Sequence, residues 1–146
     1  MIHVTIAMHG MLAQSLIESI EMLVGDQQGV SAFTLCPEDD AAVFRAEIAA
    51  DIVAARDRGE EIIALTDILA GTPFNSVCAV EGCAEFIHVT GVNLPVALGI
   101  VANREGRRAR ELVDEALEDA PSSLLDVTGF GQRARSSPRE GSDDDE

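Results

Sequence analysis

Ile62-Ile63-Ala64-Leu65-Thr66-Asp67-Ile68-Leu69-Ala70-Gly71-Thr72-Pro73-Phe74-Asn75 is the stretch on which the fold of this chain turns. Ile62 to Thr66 lacks the polar alternation of a half-exposed strand, which suits a central strand of a parallel sheet. Asp67 ends the run, and Pro73 pre-sets the backbone for a helix expected over Pro73 to Cys83. The same strand-to-helix grammar recurs on either side. Upstream, Ile2 to Met8 reads as a strand and Met11 to Val24 as a helix, with apolar residues at Leu12, Leu16, Ile20, Leu23 and Val24 and a stop at Gly25. Val30 to Leu35 is the next strand, and Pro37-Glu38-Asp39-Asp40 opens a helix that runs to about Asp57. Downstream, a strand is expected over Glu85 to Val89 and helices over about Pro95 to Ala102 and Glu105 to Asp119. A short last strand is expected over Ser123 to Thr128. Strands alternating with helices imply an α/β domain, doubly wound around a mostly parallel open sheet with helices on both faces.

The chain has 146 residues, 47% of them apolar, enough for one domain with a single core. That domain is expected over residues 1–128, and 129–146 as a disordered acidic tail, because Ser-Ser-Pro, scattered Arg and the closing Ser-Asp-Asp-Asp-Glu offer nothing to bury. Charges interrupt every apolar run before it reaches the roughly 20 residues of a membrane helix. Met1-Ile2-His3-Val4 places no basic region ahead of an apolar stretch, which argues against a signal peptide and for a cytoplasmic protein. The formal charge is −16, with 26 acidic residues, ten Arg and no Lys. Such a surface repels nucleic acid. It suits encounter with a basic protein, or does no more than confer solubility. Cys36, Cys78 and Cys83 lack metal-ligand spacing and read as small buried thiols.

In a parallel sheet the carboxyl ends of the strands share one rim, where ligands of open sheets bind. His9-Gly10 and the turn after Thr66 therefore meet there. Neutral imidazole is nucleophilic and, once protonated, a good leaving group, so His9 can accept a phosphoryl group on nitrogen and pass it on. A carboxylate at Asp67 can bind one ring nitrogen, fixing the tautomer and freeing the other for attack; it can equally cap the next helix. In Gly71-Thr72-Pro73, glycine lets backbone approach a ligand, and free amides with the Thr72 hydroxyl can receive phosphate oxygens. There is no GxxxxGK[ST] and no GxGxxG, which disfavours a nucleotide P-loop or a dinucleotide site. His3 and His88 read as ordinary strand residues, Met8, Met11 and Met22 as packing, and Arg104, Arg107, Arg108 and Arg110 as a solvated face pairing with nearby acids.

Three separated segments carry a family resemblance: His9-Gly10 with Leu12-Ala13 and Glu21-Met22-Leu23-Val24-Gly25; Thr66-Asp67 with Gly71-Thr72-Pro73-Phe74-Asn75; and Thr90-Gly91-Val92-Asn93-Leu94-Pro95. Together they resemble, over roughly residues 2–128, the IIA domain of the mannose-type phosphotransferase system (PTS), the mannose/fructose/sorbose family. The resemblance implies a phosphotransferase component in which His9 takes a phosphoryl group from the phosphocarrier HPr and hands it to a IIB domain for sugar uptake. It implies that Asp67 supports the histidine, that Gly10 and Thr72 lie at the phosphoryl site, and that Asn93 shares the rim. It implies no cofactor and no metal. It also implies a homodimer in which the last strand is exchanged, and association with IIC and IID membrane components. This chain departs from the family in having Ala70-Gly71 where a glycine pair is usual, and in lacking a fused IIB domain, so the acceptor is expected to be a separate protein. Two other readings stay open: a phosphorylation-dependent regulatory module, and the IIA-like subunit of a dihydroxyacetone kinase. A plain anion-binding α/β domain is a further possibility, since fold alone does not establish function.

Overall fold

In the computed structural model of the protein, residues 1–131 are described. Four strands, β1 (Ile2–His9), β2 (Val30–Leu35), β3 (Glu61–Thr66) and β4 (Ile87–Val89), form one parallel sheet in the order β2-β1-β3-β4. Five helices connect and cover it: α1 (Leu12–Val24), α2 (Ala41–Asp57), α3 (Thr72–Cys78), α4 (Leu94–Ala102) and α5 (Ala109–Asp119). The doubly wound α/β expectation therefore holds.

The period-2 geometry of β1 divides the core. Val4, Ile6 and Met8 face α1, α4 and α5 with Ile63 and Leu65 of β3, and meet Leu16, Ile20, Ile100 and Leu112. Ala7 faces the other way with Ile62 and Ala64, against Phe44, Ile48, Ile52 and Ala55 of α2 and Val77 of α3. Burial on both sides is why the central strands lack alternation.

Element starts follow local chemistry. Pro37–Asp39 form a turn rather than the first turn of α2; the helix begins at Ala41, where the Asp40 side chain accepts the Ala42 amide at 2.7 Å. Gly106, at φ +69°, sits in the loop that delays α5 to Ala109. α3 stops at Cys78, and a short 3₁₀ turn at Cys83–Glu85 replaces the rest of the expected helix.

One expectation needs correction. Ser123–Thr128 is not a strand in this chain: Ala120–Ser123 is a 3₁₀ turn continuing α5, and the residues that follow pair with no described strand. A strand needs a neighbour to bond to, and this segment meets neither sheet edge of its own chain. Leu124, Leu125 and Val127 are left 86%, 60% and 58% exposed. Of the tail expected over 129–146, residues 132–146 lie outside the described residues.

Candidate functional site

The strand order changes direction between β1 and β3. The chain leaves β1 for β2 on one side and leaves β3 for β4 on the other, which opens a crevice at the carboxyl ends of β1 and β3. His9 is the last residue of β1, and Asp67 follows the last residue of β3; the register pair Ala7↔Thr66 brings the two ends level.

Asp67 Oδ2 lies 2.9 Å from His9 Nδ1 and also accepts the His9 backbone amide at 2.9 Å, while its Oδ1 accepts the Ile68 amide at 3.0 Å. Burial pushes the Asp67 carboxyl up, but the His9 backbone and ring hydrogen bonds outweigh it and hold the group below the ordinary aspartate value. An ionised carboxylate has no proton to give, so Nδ1 carries the hydrogen of this bond. The lone pair is then on Nε2. The His9 side chain is 48% exposed against 13% for Asp67, so the carboxylate is sheltered and the ring reaches solvent.

Two glycines shape the site for different reasons. Gly10, at φ +57°, turns the chain out of β1, its amide bound to the Leu35 carbonyl at 2.7 Å; a Cβ there would meet nothing within 4 Å, so the backbone angle is what calls for glycine. Gly71 has an ordinary backbone, but a Cβ would stand 2.8 Å from His9 Cε1 and 3.1 Å from Ile68 Cγ2. Its bare Cα is the wall against which the imidazole lies. Ala70 beside it takes the left-handed angle, φ +61°, that glycine adopts without cost.

Thr72 opens α3, with Gly71 as its N-cap residue. It lines an open depression together with His9, Gly10, Leu35, Cys36 and Asp39. The Thr72 and Phe74 amides, in the first helical turn, have no intrahelical acceptor. His9, Gly10, Asp67, Gly71 and Thr72 are thus brought together at one rim. Asn93 is not part of this cluster; its side chain caps α4 by accepting the Val96 amide at 3.1 Å.

Other expectations shift. Cys36 is half-buried and Cys78 and Cys83 are exposed, so the cysteines are not core thiols; Met8 is buried, but Met11 and Met22 face solvent. Among the described residues no group of three or more His, Cys, Asp and Glu is placed to hold a metal ion. The arginines do pair with acids, Arg110 with Asp114, Arg107 with Glu115 and Arg108 with Glu61, while Arg104 bonds the Gln28 and Val101 carbonyls.

Two polar clusters were missed in the sequence. At the opposite end of the sheet, Asp51 of α2 accepts Thr5 Oγ1 at 2.7 Å and Ser31 Oγ at 2.8 Å, and lies 3.0 Å from His3 Nε2. The signal was present: polar His3 and Thr5 occupy one face of a buried strand, and Asp51 falls on the helix face of Phe44, Ile48 and Ile52. Behind the His9 site, His88 Nε2 lies 2.8 Å from Thr66 Oγ1, a pairing set by the β3–β4 register.

Residues 3–117 match the EIIA-man family, described as the PTS system fructose IIA component. The chain is 30% identical over 113 residues to the sorbose-specific EIIA component of Klebsiella pneumoniae, covering 77% of this chain and 82% of that one. It is 29% identical over 119 residues to the mannose-specific EIIAB component of Escherichia coli K12, covering 80% of this chain but only 36% of the length of that relative. Its fold is similar to the crystal structure of PTS component EIIA from Streptococcus agalactiae, with a TM-score of 0.78 at 24% identity over 88% of this chain and 98% of that one. With a family match running through four-fifths of its length, the chain belongs to the mannose-type IIA components of the phosphotransferase system.

Proposed function

We propose that this PTS component is a phosphoryl carrier whose acceptor atom is His9 Nε2. The observation that carries the reading is the division of labour on the imidazole. Nδ1–H is engaged by Asp67 at 2.9 Å, and Nε2 stands free at an open rim beside Thr72. In the transfer, the Nε2 lone pair forms an N–P bond as the phosphohistidine N–P bond of HPr breaks, and the donor imidazole leaves with that electron pair. Asp67 stabilises the positive charge that His9 acquires. Catalysis of such a loose phosphoryl transfer is mostly positioning and charge neutralisation. The Thr72 hydroxyl and the amides at Gly71 and Thr72 receive phosphoryl oxygens, and Gly10 keeps the rim low enough for them. The onward step runs the same chemistry toward a IIB component that serves sugar uptake. Neither metal nor cofactor enters the scheme.

The wider assembly belongs to the same reading. Residues 1–128 form the domain and 129–146 the acidic tail; the protein works in the cytoplasm, reaching the membrane through IIC and IID partners. The exposed Leu124, Leu125 and Val127 support a homodimer in which this segment pairs with the partner's sheet. No described helix is long and apolar enough to cross a membrane.

The experiment is mass spectrometry after incubation with phosphoenolpyruvate, enzyme I and HPr. One acid-labile phosphoryl adduct on His9, absent from a folded His9→Ala variant, is the expected outcome. An adduct that survives in His9→Ala would sink the assignment. No adduct with active HPr would sink the carrier reading itself.

A further inference from the structure

The site has a support behind it that its own residues do not explain. Thr66 immediately precedes Asp67 and is wholly buried. It is held at its carbonyl and its hydroxyl from the neighbouring edge. Its carbonyl accepts the Val92 amide at 3.2 Å, and its hydroxyl meets His88 Nε2 at 2.8 Å. The His88 ring also lies against Phe74, with centroids 5.0 Å apart and planes tilted by 35°, and its Nδ1 is 3.8 Å from the Cys78 sulfur. Phe74 and Cys78 belong to α3, the helix that Thr72 opens. One imidazole on β4 therefore touches both the strand end that carries Asp67 and the helix that carries Thr72.

We propose that His88 is a positioning residue for the His9 site, fastening Thr66 to α3 so that the Asp67 carboxylate and the Thr72 hydroxyl keep one fixed separation around the imidazole. Packing alone does not call for this pair. Valine at 66 and an apolar residue at 88 would fill the same space, and replacing both partners of a buried hydrogen bond by apolar groups of like shape is nearly neutral for stability. What the polar pair adds is direction, because a hydrogen bond specifies where Thr66 points and an apolar contact does not. Partial burial lowers the proton affinity of His88, which favours the neutral ring with one donor and one acceptor nitrogen, as a link between a hydroxyl and a thiol requires.

The rate arm of the test rests on the carrier reading, and the spectroscopic arm does not. His88→Leu, Thr66→Val and the double variant are compared with the parent in melting temperature and in phosphoryl uptake from phosphoramidate, a small donor that needs no protein partner. The ring ¹⁵N shifts of His9, which report its tautomer and the Nδ1–H bond to Asp67, are measured alongside. We expect the double variant to melt near the parent and yet take up phosphoryl about tenfold more slowly, in line with the cost of a misplaced catalytic group. Its His9 ¹⁵N pattern should move toward mixed tautomers. His88→Gln, whose amide can bond Thr66, should regain most of both. If the double variant recovers the parent's rate and His9 spectrum along with its stability, the pair is packing only and the proposal is wrong. A parent that takes up no phosphoryl refutes the carrier reading instead; the His9 spectrum of the double variant then decides, an unchanged pattern overturning the proposal and a mixed one upholding it.

Discussion

Gly71 illustrates how a site can depend on an atom that is missing. Alanine suits its backbone, yet the added methyl would fall 2.8 Å from His9 Cε1. The nearest atoms are the His9 ring and the Ile68 methyl, and the closer of the two is the ring, so the imidazole must shift from its place beside Asp67. Gly71→Ala should therefore leave the melting temperature within a few degrees of the parent while cutting phosphoryl uptake by about 100-fold, the penalty typical of a displacement near 1 Å. Quench-flow of phosphotransfer from phospho-HPr, read beside a thermal melt, checks it; parent-like rates would mean that the ring is not held where the geometry has it. Ala70 carries the opposite lesson, since its left-handed φ of +61° is where this chain spends strain that a glycine would not. The meeting of the candidate residues was legible because His9 and Asp67 lie at the ends of parallel strands and Gly71-Thr72 at the start of the helix that follows, where sequence position implies spatial position. The reason for Gly71 was not, because a clearance between non-neighbours leaves no mark in a sequence.

Among the elements, α2 is fastened to the sheet by polar as well as apolar contacts. Burial opposes ionisation of Asp51, but bonds from His3, Thr5 and Ser31 outweigh it and hold the carboxyl below its ordinary value; Asp67 behaves in the same sense. Both folded-state values lie under the unfolded value of about 4. Their contribution to stability is complete above that pH and is lost as pH falls through the folded values. Asp51→Ala should cost about 3 kcal/mol at neutral pH by stranding the buried His3 and Thr5 and the half-buried Ser31. It should also flatten the fall in melting temperature below about pH 4. Melting curves of parent and variant across that range test both parts, and parallel curves would exclude Asp51 as a source of the acid sensitivity. Helix and strand identities were readable because apolar periodicity is local. Boundaries moved where capping decided, as at Asp40, and the role of Asp51 was hidden because it depends on which helix lies over which strand. The segment after α5 is not a strand among the described elements for a related reason, since strand formation is a property of a pair and no described strand of its own chain lies beside it.

For the whole molecule, the exposed run from Leu124 to Phe130 is the strongest pointer to a larger assembly, at an end of the chain that is otherwise strongly acidic. A chain truncated after Ser122 should remain folded, because the core ends with α5, and should sediment as a monomer, whereas the full chain is expected to sediment as a dimer. Equal sedimentation of the two would remove residues 123–131 from the interface. A different consequence follows from the openness of the depression around His9, whose side chain is 48% exposed. Nothing in the described residues folds over it, so a phosphoryl group on Nε2 would sit within reach of bulk water. Its survival would then be governed by spontaneous hydrolysis of the nitrogen–phosphorus bond and not by an enclosure that the protein maintains. Slow as that hydrolysis is at neutral pH, partners would act far faster, and the fraction found charged at any moment would report the balance of supply and withdrawal; a protein with that role would be a gauge of flux as much as a link in it.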